Sequence, residues 1–466
     1  MESTVVSEGT WRDLLGPRHL GASTVLAGGV ALYATNEFLT ISLMPDAVAD
    51  IGGERFYAWV TTVYLVASVI AATTVHALLM RWGPRLAYLL GLSVFGVGSL
   101  GCALAPSMEL LLVGRTVQGG AGGLLAGLGY AVINTALPQR LWTRASALVS
   151  AMWGVGTLAG PAAGGLFAQF GHWRWAFGVL TIFTAAMAVL VPLVLPARDA
   201  SRAARARLRI PWASLLLLGA AALVVSTAGI PRDARLTAGL LVLAAAIVVL
   251  FVVVDRRASA AVLPPTTFQP GPLKWIYATL GLLMAATMVD MYVPLFGQRL
   301  AGLAPVLAGF FGAVLSVGWT AGEITSASAR RARIIARTVA VAPLVMGVGL
   351  AVGLVAVREA MSPLWVGVWV AGLVVTGAGI GMAWPHLSAW AMSRVRDPAE
   401  GPAAAAAIST VQLICGAFGA GLAGVLVNMS SGGDAQAARL LFGVFAVLAA
   451  VGVVASTRAS RAGSDG

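Results

Sequence analysis

Apolar runs of about 20 residues, the length a helix needs to cross the hydrocarbon of a bilayer, recur from one end of this chain to the other. Only short segments rich in Arg, Pro or Asp separate them. The residues are 59% hydrophobic and 10% charged, with a mean hydropathy of +0.89. Soluble domains carry roughly 25% charged residues, so a water-facing surface cannot be built from this composition. The solvent is lipid, and the backbone has to close its hydrogen bonds within helices. The expected fold class is an all-α integral membrane protein.

Reading the apolar runs against their breakers predicts helices at 24–46, 57–80, 86–105, 108–132, 144–170 and 174–195, a first block of six. A basic stretch over 197–210 follows, then a tight pair at 212–230 and 235–254 and a Pro-containing linker to 272. Six more are predicted at 274–297, 304–326, 338–357, 364–392, 404–429 and 438–456. The expected organisation is fourteen helices as 6+2+6. An N-terminal six-helix bundle spans 1–196, the basic loop, two extra helices and linker span 197–272, and a C-terminal six-helix bundle spans 273–466.

The arginines orient this arrangement. With the N-terminus inside, the segments holding Arg81 and Arg85, Arg140 and Arg144, and the clusters near 198–209 and 330–337 all fall in the cytoplasm, a threefold excess over the outer segments. An even helix count then puts both termini in the cytoplasm. The net charge of +12 is explained by insertion and by contact with anionic lipid, and nucleic acid is not needed as a partner. The polar first twenty residues lack the order of a cleavable signal, so the first helix is expected to serve as its own insertion signal. Cys102 and Cys415 both lie in apolar runs and suggest neither a disulfide framework nor a metal site.

The two six-helix blocks echo one another. Gly-rich GVGTLAGPAAGG in the fifth helix corresponds to CGAFGAGLAG in the thirteenth, and RWGPR after the second helix corresponds to ARRARIIAR after the tenth. Parallel repeats of this kind occur in transporters that place the substrate between two rocking halves.

Three motifs carry more. In the fifth helix Gly156, Gly160, Pro161, Gly164 and Gly165 form G-x-x-x-G-P-x-x-G-G; the small residues allow close helix approach, and Pro161 removes an N–H and bends the helix. In the fourth, Arg115, Gln118 and Gly119 form R-x-x-Q-G. After the second helix stands HALLMRWGPR, with Arg81, Gly83 and Arg85. On these residues the chain resembles the major facilitator superfamily, and within it the fourteen-helix drug:proton antiporters. The resemblance implies that the glycine motif is a bend and seal in the outer half of the fifth helix, that Arg115 is linked to proton movement, and that the 81–85 loop gates. Tight packing alone for the glycines, and snorkelling to the interface for Arg115, are the plainer readings. The gating loop departs from the family pattern: His76 replaces a glycine, Met80 an aspartate and Pro84 an arginine, which puts the family's charge latch in doubt here. HWRWAF, with Trp173, Arg174 and Trp175, reads as an aromatic belt.

Three acids fall inside predicted helices: Glu37, Asp290 and Glu323. Each is costly in lipid as an unpaired charge, so each has to be protonated, paired or facing a wet cavity. Glu37 lies about 20 Å from the inner end of its helix, slightly past the midplane, and Asp290 and Arg115 fall at comparable depth. Glu37 is the expected principal protonation site, with Asp290 a second site or a cation-attracting residue. A neutral acid bonded to helix backbone is the alternative for both. Glu323 reads as a surface ion pair and His386 as a hydrogen-bonded core residue. Asn36 stands where many fourteen-helix relatives carry aspartate, so the acid is displaced by one residue. Candidate cavity residues are Tyr33, Asn36, Tyr64, Gln118, Asn134, Met288, Met291, Tyr292 and Gln298.

The expected function is proton-coupled export of amphiphilic small molecules, cationic or neutral, by alternating access in the cytoplasmic membrane of a bacterium. The chain is expected to act as a monomer, with a proton gradient in place of any cofactor. Dedicated export of one endogenous metabolite or lipid is the alternative that sequence cannot separate. A membrane-embedded enzyme would need a catalytic constellation, and His19, His76, His172 and His386 are too far apart to suggest one. A non-transporting receptor would be indicated if no substrate moved under any gradient.

Overall fold

A computed structural model describes residues 10–196, 210–231, 233–258, 260–327, 329, 331–397 and 400–461. The basic stretch over 197–209, with Arg232 and Arg330, lies outside them. Helices are α1 (Trp11–Leu14), α2 (Leu20–Ile51), α3 (Tyr57–Ala72), α4 (Val75–Ala103), α5 (Met108–Ala131), α6 (Ile133–Ala136), α7 (Trp142–Gln169) and α8 (Trp173–Val194). There follow α9 (Trp212–Ala228), α10 (Ala234–Arg257), α11 (Leu273–Thr287), α12 (Val293–Ala301), α13 (Pro305–Ala327), α14 (Ala332–Ala356), α15 (Pro363–Ser393), α16 (Gly401–Met429) and α17 (Gly433–Arg461).

Among the described residues, 10 helices are long and apolar enough to cross a membrane, and α9 is a shorter apolar helix. The long helices outside that set are α2, α5 and α7. Their mean hydropathy is lowered by Asn36 and Glu37, by Arg115 and Gln118, and by the glycines of α7. A helix packed inside a bundle has no need to be apolar on every side.

The chain divides into two compact units, one of residues up to Gly52 with Ala67–Ile210, the other of Gly53–Val66 with Pro211 onward. In the first, α2 packs on α7, α5 and α8, while α4 lies against α5 and α8. In the second, α15 packs on α13 and α14, α17 on α14 and α11, and α9 on α10 and α16.

Three local departures from the predicted helices have clear causes. The chain breaks at Thr73–Thr74, where both hydroxyls donate to carbonyls three residues back, at 2.7 Å each. The predicted loop at 81–85 survives as a kink inside α4, made by Gly83 at φ 76° and ψ 173°. Only glycine adopts that left-handed geometry without strain, and Pro84 follows with a φ preset for helix. The predicted helix over 274–297 is interrupted by a 3₁₀ stretch, Met288–Tyr292. Pro294 has no N–H to offer the carbonyl of Asp290 four residues before it; that carbonyl accepts from the Val293 N–H instead.

Candidate functional site

The acid-bearing segment of α2 is held by the glycine motif of α7. A methyl at Gly156 would lie 2.5 Å from the Ala34 Cβ, and one at Gly160 would lie 2.6 Å from the Phe38 Cβ and 2.8 Å from the Leu39 nitrogen. Gly164 is equally tight against the Leu39 carbonyl. The i, i+4, i+8 spacing lines these glycines along one face of α7, so they seat the turns of α2 on either side of Glu37. Helix α7 continues through Pro161, which is buried, and Gly165 is buried beside it. Trp153 meets Tyr33 edge to face, with ring centres 5.4 Å apart.

On that segment Asn36 is fully buried, and neither polar atom of its amide has a hydrogen-bond partner among the described residues. Burial of an unsatisfied amide is costly, so this group is poised for a partner. Glu37 is partly exposed and within electrostatic reach of Arg115. Arg115 is 1% exposed and donates through Nη1 to the Gln118 Oε1 at 3.0 Å. Gln118 donates in turn to the Ser99 Oγ at 2.9 Å, and Ser99 to the Phe95 carbonyl at 2.8 Å. The Cys102 thiol also points at Oε1, 3.4 Å away. Gly98 and Gly114 let α4 and α5 approach closely enough for this chain of bonds.

The structure therefore brings Tyr33, Asn36, Glu37, Arg115, Gln118 and the glycine motif into the first unit. A carboxyl there can hold a proton, or hold a charge that a buried guanidinium balances, while the amide network keeps that guanidinium in place. Asn134 lies in α6, with its side chain outside the described set. Ser99 and Cys102 complete the network without having been singled out; their i, i+3 spacing on a helix predicted to neighbour Arg115's was the available signal.

The remaining candidates belong to the second unit. Asp290 is 7% exposed, Met288 6%, Met291 1%, Tyr292 1% and Tyr64 0%, and Gln298 is partly exposed. Asp290 sits in the 3₁₀ stretch itself, and such a stretch in mid-helix often marks a functional hinge. Tyr57, not anticipated, stacks on Tyr292 with centres 4.8 Å apart and planes 20° from parallel, and donates to the Met291 carbonyl at 3.3 Å.

At the kink of α4, Arg85 donates from Nε to the Leu195 carbonyl at 3.0 Å, tying α4 to the end of α8, while Arg81 is exposed. His386 holds its Nε2 3.1 Å from the Ser326 carbonyl. Arg174 lies over the Trp173 ring at 4.4 Å, pairs with Asp50 at the end of α2 and donates to the Ala105 carbonyl at 3.1 Å.

The sequence over residues 26–420 matches the model of the Major Facilitator Superfamily, and the chain belongs to that family. It is 61% identical, over 99% of its own length and 98% of the other, to a "Probable multidrug-efflux transporter" of Mycobacterium tuberculosis. A segment covering 33% of the chain is 29% identical to the "Multidrug resistance protein 3" of Bacillus subtilis and spans 31% of that protein. Among solved structures, the nucleoside transporter NupG superposes with a TM-score of 0.67 at 12% identity, covering 94% of this chain and 99% of that one. A bacterial homologue of the human lysosomal transporter Spinster gives 0.64 at 12% identity, over 97% and 98%. These likenesses establish the fold: a multi-pass helical membrane transporter of the major facilitator type.

Proposed function

We propose that this chain is a proton-coupled antiporter that exports amphiphilic small molecules across the cytoplasmic membrane of a bacterium. The reading gives it fourteen spans, both termini in the cytoplasm, and six-helix bundles at 1–196 and 273–466 flanking the extra pair. The observation that carries it is the seat of Glu37: a carboxyl on α2, clamped by the α7 glycine motif, in electrostatic reach of a buried Arg115. The 61% identity to a relative named for multidrug efflux supports the substrate class. Glu37 is the principal proton carrier, Asp290 a second site, and Arg115 the counter-charge when Glu37 is ionised. Proton and substrate alternate, so release of one accompanies binding of the other, and the gradient drives the cycle outward.

The test is purified protein in proteoliposomes with an imposed pH gradient, following a lipophilic cationic dye. Gradient-dependent transport by the wild type and its loss in Glu37→Gln are expected. Wild-type transport unchanged in Glu37→Gln would remove Glu37 from the coupling step.

A further inference from the structure

Among the described helices α3 alone is divided between the two units: Tyr57–Val66 belongs to the second and Ala67–Ala72 to the first. A buried hydroxyl ties each part within its own unit. Ser68, 0% exposed, donates to the Gly119 carbonyl of α5 at 2.9 Å. Thr62, also 0% exposed, accepts from the Ser226 hydroxyl of α9 at 2.9 Å. Ser226 stands on one of the two extra helices, which the Glu37 and Arg115 arrangement does not use.

The α9 side of this bond is braced. A methyl at Gly421 of α16 would lie 2.8 Å from the Ser226 Oγ, and one at Gly229 would lie 3.0 Å from the Val425 nitrogen. Thr237 of α10 donates to the Ala228 carbonyl at 3.0 Å. The bond itself can open without stranding a polar group. Thr62 already donates to its own Ala58 carbonyl at 3.1 Å, and a serine inside a helix can turn its hydroxyl to the carbonyl four residues back, here that of Ala222. Parting forfeits one hydrogen bond and leaves no buried donor unsatisfied. The Ser68 tie is of another kind: a methyl at Gly123 of α5 would collide with the Ser68 backbone, so backbone contact holds that part. At the Glu54 end, Arg299 pairs with Glu54 at 2.7 Å and with Asp434 at 3.2 Å, but these side chains are 38% to 57% exposed. Such pairs are screened and weak, which leaves the buried bond to hold this part of α3.

We propose that Ser226 and Thr62 form a latch of the transport cycle: α9 grips α3 in the conformation described and releases it when the units rock. This gives the extra helices a task. The latch rests on alternating access and not on which carboxyl carries the proton.

The first test uses Leu65→Cys as reporter in the full chain purified in detergent. Leu65 is 2% exposed and lies about one turn beyond Thr62 on the gripped part, so a polar maleimide reaches position 65 when that part lets go. Adding Ser226→Ala or Thr62→Val should speed labelling there about threefold, the loss of one interhelical hydrogen bond in a membrane protein. Cys102, 0% exposed in the first unit, should label equally slowly throughout. Labelling at 65 unchanged by either substitution, or Cys102 speeding up with it, overturns the latch. The second test is Thr62→Cys with Ser226→Cys, since hydroxyl oxygens 2.9 Å apart place the two Cβ atoms within disulfide range. Oxidation should stop gradient-driven dye transport in proteoliposomes and a thiol reductant should restore it, with oxidised wild type unaffected. Failure of the two positions to join, or undiminished transport by protein in which mass spectrometry finds them joined, overturns the latch. A wild type that moves no dye refutes the antiport reading, and the labelling ratio still decides the latch.

Discussion

The Arg115 guanidinium donates to the Gln118 side-chain oxygen across 3.0 Å, three residues along the same helix. Gln118 spends its amide on Ser99 of the neighbouring helix, so one residue both anchors the charge and joins α5 to α4. Gln118→Ala would leave Arg115 and Ser99 each short of a partner in a buried setting. The expected cost is about 1–3 kcal/mol, read as a lower unfolding midpoint in detergent. Gln118→Glu, which keeps the acceptor, should lose less of the Arg115 contact and hence less stability than the alanine.

The glycines of α7 allow an internally controlled comparison. Gly160→Ala pushes a methyl to within 2.6 Å of the Phe38 Cβ, whereas Gly154 on the same helix has nothing within 4 Å of the place a methyl would occupy. Overpacking of this kind costs about 1–3 kcal/mol. Gly154→Ala should be neutral or slightly stabilising, because alanine is the better helix former by about 1 kcal/mol. Thermal unfolding and dye transport of the two variants side by side check this. Equal behaviour would mean that contact with α2 is not what the motif provides.

Residue type alone made part of this legible. The spacing of Gly156, Gly160 and Gly164 announces a close helix contact, and Arg115 inside an apolar run announces a paired group. Which helix the glycines meet could not be read, because helix pairing leaves no local mark. The interruption at Asp290 was readable in principle, since Pro294 four residues later removes the N–H that its carbonyl needs. The Tyr57–Tyr292 stack was not: the two residues are far apart in sequence, and although Tyr292 stood among the candidate cavity residues, no local pattern pairs it with Tyr57. Arg299 was countable only as a loop charge, whereas its two carboxylate partners come from separate segments.

Asp50, beyond the predicted end of the first span, supplies a pH dependence. Hydrogen bonds from Arg174 and then Trp173 hold its carboxyl below the ordinary value of 3.8. A depressed carboxyl contributes stability above its unfolded value and loses it as pH falls through the folded one. The stability difference between wild type and Asp50→Asn should therefore be constant from about pH 7 to 5 and shrink only below about pH 4. With the two side chains 39% and 50% exposed, it should stay below about 1 kcal/mol and weaken further in high salt. Unfolding midpoints across that range measure it.

The linker after α10 rests on one carboxylate. Asp255 is 1% exposed and accepts from the backbone N–H groups of Val262 at 2.7 Å and Leu263 at 3.0 Å. Farther along, the Thr266 N–H donates to Glu400 at 3.2 Å and its hydroxyl accepts from the Arg396 N–H at 3.2 Å. Asp255→Ala strands two N–H groups and should free the start of the linker while leaving its Thr266 anchor intact. Arg256 and Arg257, at the end of α10, then become the reporters: trypsin should cut after them several-fold faster in Asp255→Ala than in wild type, because cleavage follows the population of the opened segment. Asp255→Asn keeps an acceptor oxygen and should fall between the two. Equal cutting rates in all three proteins would show that the Thr266 contacts alone hold the linker down.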